Sequence, residues 1–333
     1  MRTRFIHSYK DIISVENLLE AWKEFVRSKR KRADLKAFSQ FLMHNILQLH
    51  QDLKDKTYTH GGYEHFKIND PKPRDIHKAR FRDRLLHHAR YRKLYSFFDH
   101  TFIADSYSCR EEKGTHKAMA RFRSFAHRVS KNNTRTCWVL KCDIRKFFAS
   151  IDQEILLRIL SARIADARLL TLLENVIGSF HSTALGKGLP LGNLTSQLLV
   201  NVYMNEFDQF VKHEMKAKHY IRYADDFVLF SHDKNKLVKI LPYMEVFLRD
   251  RLALKLHPDK VFIKTLASGV DFLGWVHFPD HRVLRTTTKR RMLRRIGKIH
   301  GKNEMIDSYL GLLLHGNTYR LHKEMCGSAK IST

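Results

Sequence analysis

HYIRYADDFVLFS, residues 219–231, sets two adjacent carboxylates, Asp225 and Asp226, between two short runs rich in Tyr, Ile, Phe and Val. Those side chains fit a pleated surface, so the stretch reads as a β-hairpin with the acids at its tip. Neighbouring carboxylates repel unless a dense positive charge lies between them, and Mg²⁺, a hard cation that takes oxygen ligands, meets that need. A third acid is then expected on a nearby strand. TRTCWVLKCDI, residues 134–144, is an apolar β-prone run that supplies one at its end, Asp143. Facing positions on antiparallel strands lie roughly 5 Å apart. Three acids on a rigid sheet can hold two ions about 3.5–4 Å apart, one activating an attacking hydroxyl and the other stabilising a leaving phosphate. On the residues alone, an Asp-Asp doublet is also what a solvated turn carries, and Asp143 could simply cap the turn after its strand.

The remainder of the chain suits an anionic partner. Of 333 residues 43% are apolar, enough for two or three modules around a shared core, and 61 Lys and Arg against 34 Asp and Glu leave a net charge of +27. The excess is spread along the chain, as in a basic globular protein that faces a polyanion. A membrane is not the expected partner, because no apolar run is long enough to span one and no single basic amphipathic helix carries the charge. The opening MRTRFIHSYKDIISV lacks the apolar segment of a secretory signal, so a cytoplasmic location is expected. Cys109, Cys137, Cys142 and Cys326 show no CxxC spacing and read as reduced thiols; the 21 histidines are scattered without a ligand pattern.

Texture divides the chain. Residues 1–68 read as a basic helical extension, with apolar helical rhythm in Ile13–Phe25 and Leu35–Leu49. NDPKPRD, residues 69–75, is turn-forming, and the following IHKARFRDRLLHHARYRKLYSFF reads as helix. A helix-like segment runs from Asp152, a plausible N-cap, to Ile177, and another from Thr195 to Glu214, with the irregular GKGLPLG (186–192) between them. VDFLGWVHF (270–278) reads as strand, and from Thr286 the chain returns to basic helix, KRRMLRRIGKIHGK. Strands grouped around the acids and helices elsewhere make the class α+β.

At this point the sequence resembles a known family, the reverse transcriptases. KCDIRKFFASID is similar to their first catalytic motif, GLPLGNLTSQLLVNVYMNEFDQF to the template and nucleotide motif, and YADD to their signature; LHPDKVFIK and VDFLGWVHF resemble the motifs that follow. Upstream, DPKPRDIHKARFRDRLLHHA and SYSCREEKGTHKA resemble fingers motifs, so the likeness covers roughly residues 69–325 in family order. It implies a right-hand polymerase fold: an N-terminal helical extension over 1–68, fingers and an antiparallel palm over 69–280, and a small basic helical thumb and tail over 281–333. It implies that Asp143, Asp225 and Asp226, with the Ile144 carbonyl, bind two Mg²⁺ ions, with Mn²⁺ able to substitute. Phe148 matches the aromatic gate that excludes a ribose 2′-hydroxyl. Lys72, Arg74 and Arg110 match positions that hold the incoming triphosphate, where charge-assisted bonds to phosphate are the physical reason; as residues alone they are also ordinary surface charge. Leu191, Gly192 and Gln197 match the nucleotide-binding motif, Lys260 the lysine that protonates the leaving pyrophosphate, and Phe272, Leu273 and Gly274 the primer grip.

One departure narrows the resemblance. Many reverse transcriptases carry Pro-Gln-Gly where this chain has Pro190-Leu191-Gly192, and Ser-Pro where it has Ser196-Gln197. Leu191 packs but cannot hydrogen-bond to an incoming nucleotide. LPLGNLTSQ and SYSCREEKGTHKA look like the enzymes of diversity-generating retroelements, which copy a template RNA with errors at adenines; a neutral packing variant in a faithful, orphan or antiviral-defence enzyme is the alternative. The expected partners are template RNA and its RNA/DNA duplex, dNTPs, and a small basic accessory protein. The residues after 280 are expected to form a small thumb and no RNase H or endonuclease domain, and neither a Walker A loop nor a deaminase motif is present in the 333 residues. A relative that keeps the fold and binds RNA without chemistry is the rival from another class.

Overall fold

The computed structural model describes residues 4–27, 29, 31–69, 73–296 and 303–330. Four helices come first: α1 (Tyr9–Ile13), α2 (Val15–Val26), α3 (Ala33–Gln40) and α4 (Leu42–Lys54). Ser8 and Asp11 close a reciprocal capping box on α1, and the Ser14 side chain caps α2, which is why the apolar rhythm breaks into separate helices there. Leu18, Ala21, Ile46, Leu49 and Leu53 are fully buried and belong to the main core.

Next comes a hairpin of β1 (Tyr63–Ile68) and β2 (Arg74–Ala79), paired antiparallel from Tyr63 opposite Ala79 to Ile68 opposite Arg74. It corrects two expectations. Residues 63–68 are strand and not the end of a helical extension, so a boundary after residue 68 would cut the hairpin, and residues 76–79, expected to open the following helix, continue the strand that starts at Arg74. The physical reason is that β1 is exposed along nearly its whole length and β2 has one fully buried residue, Ala79. A strand with no buried face carries no apolar alternation to read.

Helix α5 (Phe81–Asp99) packs against α2, and α6 (Thr115–Ser130) follows an irregular segment. Strand β3 (Trp138–Asp143) leads through the short α7 (Phe147–Ser150) to α8 (Gln153–Ser161) and α9 (Ala167–Ile177). Asp152 caps α8 as expected, but the segment expected to be continuous to Ile177 is two helices, because the Asp166 carboxylate accepts from the Arg168 and Leu169 amides and starts a second one. Helix α10 (Leu194–Gln209) is buried over most of its length.

Strands β4 (Tyr220–Tyr223) and β5 (Asp226–Ser231), helix α11 (Lys234–Leu252) and strand β6 (Phe262–Thr265) complete the central sheet, whose order is β4-β5-β3-β6, antiparallel throughout. Both its faces are covered. Leu140, Cys142, Phe227 and Leu229 face the main core with α8, α10 and α11, while Val139, Ile221, Val228 and Phe230 face α6 and the strand that begins at Val270. Burial on two faces turns each strand into a nearly continuous apolar run, which is why these strands are legible in the sequence.

The stretch 270–278, expected as one strand, is two: β7 (Val270–Phe272) and β8 (Trp275–His277), joined by a turn with Leu273 at φ +52 and Gly274 at φ +84. Two consecutive positive φ angles make a hairpin turn of the kind that matches strand twist. Strand β9 (Arg282–Leu284) completes this three-stranded sheet, and α12 (Thr286–Ile296), α13 (Asn303–Leu313) and α14 (Tyr319–Lys330) follow. Trp275 anchors these helices in a cluster with Met119, Met292, Leu313, Leu321 and Met325. A Cβ at residue 316 would collide with the Trp275 ring, so only glycine fits there. Part of the KRRMLRRIGKIHGK run lies outside the described residues, as does the Cys326 side chain; Cys109, Cys137 and Cys142 are free thiols. Among the described residues no helix is long and apolar enough to cross a membrane.

Candidate active site

The antiparallel register of β3 and β5 puts Asp143 directly opposite Asp226, so both side chains stand on one face of the sheet. Asp225 precedes Asp226 in the two-residue connection from β4, where Tyr223 pairs with Asp226. All three acids therefore meet at one end of the sheet. Burial first, then the neighbouring Asp143 and Asp225 charges, pushes the Asp226 carboxyl up to about 7, against the opposing pull of Lys141. Burial and the Asp143 charge raise Asp225 as well, while Lys260 and Arg74 act to lower it. Two ammonium groups stand among the acids: Lys260 Nζ donates to Asp143 Oδ1 at 2.9 Å, and Lys141 Nζ lies 3.4 Å from Asp226 Oδ2.

Lys141 does not stand out in the sequence as a site residue, although a signal for it is there. It is a charged residue two places before Asp143 in an otherwise apolar strand, hence on the same face.

Asp226 Oδ1 is buried and has no hydrogen-bond partner. An orphaned carboxylate oxygen among mutually repelling acids fits a hard divalent cation, and Asp143, Asp225 and Asp226 are the residues that would hold it. Among the described residues no three His, Cys, Asp or Glu side chains are drawn together as a finished metal cage. Cation entry should therefore displace both lysines and a proton. Asp226 holds its proton up to about pH 7, so apparent Mg²⁺ affinity is expected to fall about tenfold per pH unit below that and to level off above. Calorimetry at pH 6 and pH 8 checks this, and equal affinity at both would remove Asp226 from the cation site.

A buried ion pair fixes the turn that presents Asp225. Arg222, on β4, and Asp208, on α10, are both fully buried and joined by bonds of 2.7–3.0 Å. Tyr220 donates to the same carboxylate at 2.7 Å, and Arg222 also donates to Asn201 Oδ1, Ser106 Oγ and the Ala224 carbonyl, the last at 3.1 Å. Ala224 has φ +56, a left-handed conformation unfavourable for a residue with a Cβ. The Arg222 bond to its carbonyl holds that turn from beneath. Neither Arg222 nor Asp208 carries any mark in the sequence that separates it from surface charge.

The other expected residues divide. Ile144 directly follows Asp143 and its N–H donates to the Asp225 carbonyl at 3.2 Å, tying the two acid-bearing segments together. Phe148 is half-buried on α7, against the neighbouring ring of Phe147, and its carbonyl accepts from Leu189 N–H. The Leu191 carbonyl accepts from His77 N–H at 3.0 Å, and the Asn193 amide spans the same strand, accepting from Ala79 N–H and donating to the His77 carbonyl. These bonds dock the β1–β2 hairpin on the start of α10, a role for Asn193 that the motif alone does not suggest. Gly192 and Gln197 line a cavity of about 340 Å³ between α2, the hairpin, α5 and α10, which none of the three acids lines. Gly192, at φ +105, lies against Ile76, where a Cβ would come within 2.7 Å.

Arg74 is exposed at the start of β2, and Lys72 lies outside the described residues. Arg110 is used inside the protein: its guanidinium, nearly buried, bonds both Asp99 carboxylate oxygens and the Ile103 and Ser106 carbonyls. That geometry supports a structural brace and not the expected triphosphate contact, because every side of the fork already has an acceptor. Phe272 is buried against Phe122, and Leu273 and Gly274 form the tip of the β7–β8 turn.

Comparison with known proteins follows the same lines. The family model described as reverse transcriptase (RNA-dependent DNA polymerase) matches residues 68–277. Protein YkfC of Escherichia coli K12 is 28% identical over 256 residues, which cover 66% of this chain and 65% of that protein. Group II intron-encoded protein LtrA of Lactococcus lactis subsp. cremoris is 23% identical over 346 residues, covering 82% of this chain and 55% of that protein. The chain thus spans less than two thirds of the length of these curated relatives. Apo telomerase from Candida tropicalis, truncated from its C-terminal domain, superposes with a TM-score of 0.50 over 73% of this chain and 60% of that one, at 11% identity, a likeness of fold alone. With the family model spanning β2, the acid-bearing sheet and the β7–β8 turn, this chain belongs to the reverse transcriptase family.

Proposed function

We propose that the chain is an RNA-directed DNA polymerase and, within the family, the error-prone enzyme of a diversity-generating retroelement. The observation that carries the first part is Asp143 facing Asp226 across β3 and β5, with Asp225 beside them, in a chain of this family. Divalent cations bound there would supply activation of the primer 3′-hydroxyl and neutralisation of the pyrophosphate that leaves. The acids fix where those charges sit, and a rigid sheet supplies position at no reorganisation cost. Lys260 stands beside Asp143, where its ammonium group can give a proton to the leaving group. The charge of Arg74 reaches the same end of the sheet. The Phe148 ring collides with a 2′-hydroxyl and so selects deoxynucleotides. Template RNA, its RNA/DNA duplex, dNTPs and a small basic accessory protein are the partners in this reading. Purified chain with Mg²⁺, an RNA template, a DNA primer and labelled dNTPs is expected to extend the primer; no extension under any primer arrangement favours a relative that binds RNA without chemistry.

The second part rests on Leu191. An apolar side chain at this position of the motif offers the incoming base no hydrogen bond, so pairing geometry is checked less stringently. Leu191→Gln is expected to lower misincorporation opposite template adenine several-fold, read by sequencing the cDNA. The likeness to an intron-encoded protein over 82% of the chain favours a second reading, a faithful polymerase of another mobile or orphan element. An error spectrum that is the same before and after the substitution decides for that reading.

A further inference from the structure

The ends of β4 and β5 farthest from the acids open on a crevice of about 260 Å³. Ser231, which lines it, is the last residue of β5, and Asp226 is the first. At ~3.3 Å per residue Ser231 lies roughly 17 Å from Asp226 along the strand. The crevice floor is apolar, with Phe230 and Leu237, and its walls carry Arg128, Arg135, Lys216, Lys218, His219 and Lys236, with no acidic residue. The cations come from four segments: the last turn of α6, the loop after it, residues 216–219, and the first turn of α11. Arg128, Lys216, Lys218 and Lys236 are exposed, and among the described residues none of them is ion-paired. Asp233, the acid beside the crevice in sequence, is engaged as the cap of α11 and accepts from the Asn235 N–H. The field of these cations is felt by His219, whose imidazole is held below its ordinary value by burial and then by Arg128, Lys212 and Lys218.

Unpaired cations gathered from three segments repel one another, and a chain of anionic groups relieves this at several points while releasing counterions. A bilayer surface cannot reach a recessed apolar floor, whereas a nucleotide strand can enter a concave slot, set its phosphates on the rim and lay a base against the floor. We propose that this crevice is a second RNA-binding site, which grips a part of the template RNA that is not in the cleft at the acids. The identity of the RNA as template rests on the polymerase reading; its binding does not.

The test uses the full chain with Arg128→Ala, Lys218→Ala and Lys236→Ala combined, all at exposed positions. Two RNAs are compared: a long single-stranded RNA, and a short primer–template duplex that occupies the cleft alone. Affinity for the long RNA is expected to fall at least tenfold, and the slope of log affinity against log salt to shrink by about 2, at ~0.7 for each phosphate that is no longer neutralised. Binding and extension of the short duplex should stay within twofold. Unchanged affinity and slope on the long RNA would overturn the proposal. So would an equal loss on the short duplex, which assigns these cations to the cleft, and so would loss of binding to polyglutamate or to anionic vesicles with RNA binding intact, which assigns the crevice to an acidic protein or a membrane. Because affinity is read without catalysis, a chain that binds but does not extend separates failure of the polymerase reading from failure of this one.

Discussion

Asp225→Ala is expected to lower primer extension by on the order of 10³-fold or more while RNA affinity stays within about twofold. Loss of a carboxylate that holds a catalytic cation forfeits several kcal/mol of charge stabilisation, and each 1.36 kcal/mol is about tenfold in rate. In the polymerase reading RNA affinity should survive because the change removes a negative charge from a surface that would meet phosphates, and because Asp225 lies at a turn that other bonds hold in place. Asp225→Asn is the matched control: it keeps the shape and loses the charge, so it should be as inactive as the alanine variant. Extension assayed by gel and binding assayed by filter retention separate the effects. Near wild-type extension by either variant would take Asp225 out of the mechanism. Joint loss of extension and RNA binding would mean that the variant damages the fold.

The second large effect belongs to stability. Asp208→Ala leaves the Arg222 guanidinium fully buried without its counter-charge, and breaking a buried pair from one side costs about 3–5 kcal/mol. The double variant Asp208→Leu with Arg222→Met should recover much of that, since apolar replacement of a whole buried pair is often close to neutral. Urea denaturation measures both. The double variant is nonetheless expected to lose extension, because the Arg222 bond to the Ala224 carbonyl is gone and the left-handed turn before Asp225 loses that support. If Asp208→Ala unfolds at the wild-type midpoint, the pair is not the buried anchor described. If the double variant extends primers normally, the turn does not depend on Arg222.

Legibility in the sequence follows burial. The central strands are covered on both faces, so TCWVLKCDI and FVLFS stand out as apolar runs, and Asp143, Asp225 and Asp226 stand out against them. The β1–β2 hairpin has little buried face, and its Arg, His and Lys content reads as helix and loop. The β7–β8 turn is hidden because Leu273, a residue with no turn preference, adopts φ +52 beside Gly274.

By itself the sequence determined the class of the molecule and singled out the three acids as candidates, since local alternation, charge and motif spacing are properties of neighbouring residues. Only the tertiary structure decided which charges face which. That Asp143 lies opposite Asp226, that Lys141 and Lys260 stand among the acids, and that Arg222 closes on Asp208 all depend on strand register and on packing between residues far apart in the chain. That Arg110 is an internal brace follows from burial, which a lone arginine in a loop does not reveal. A side chain's charge is written in the sequence, but whether it meets solvent, a partner or an opposite charge is set by packing.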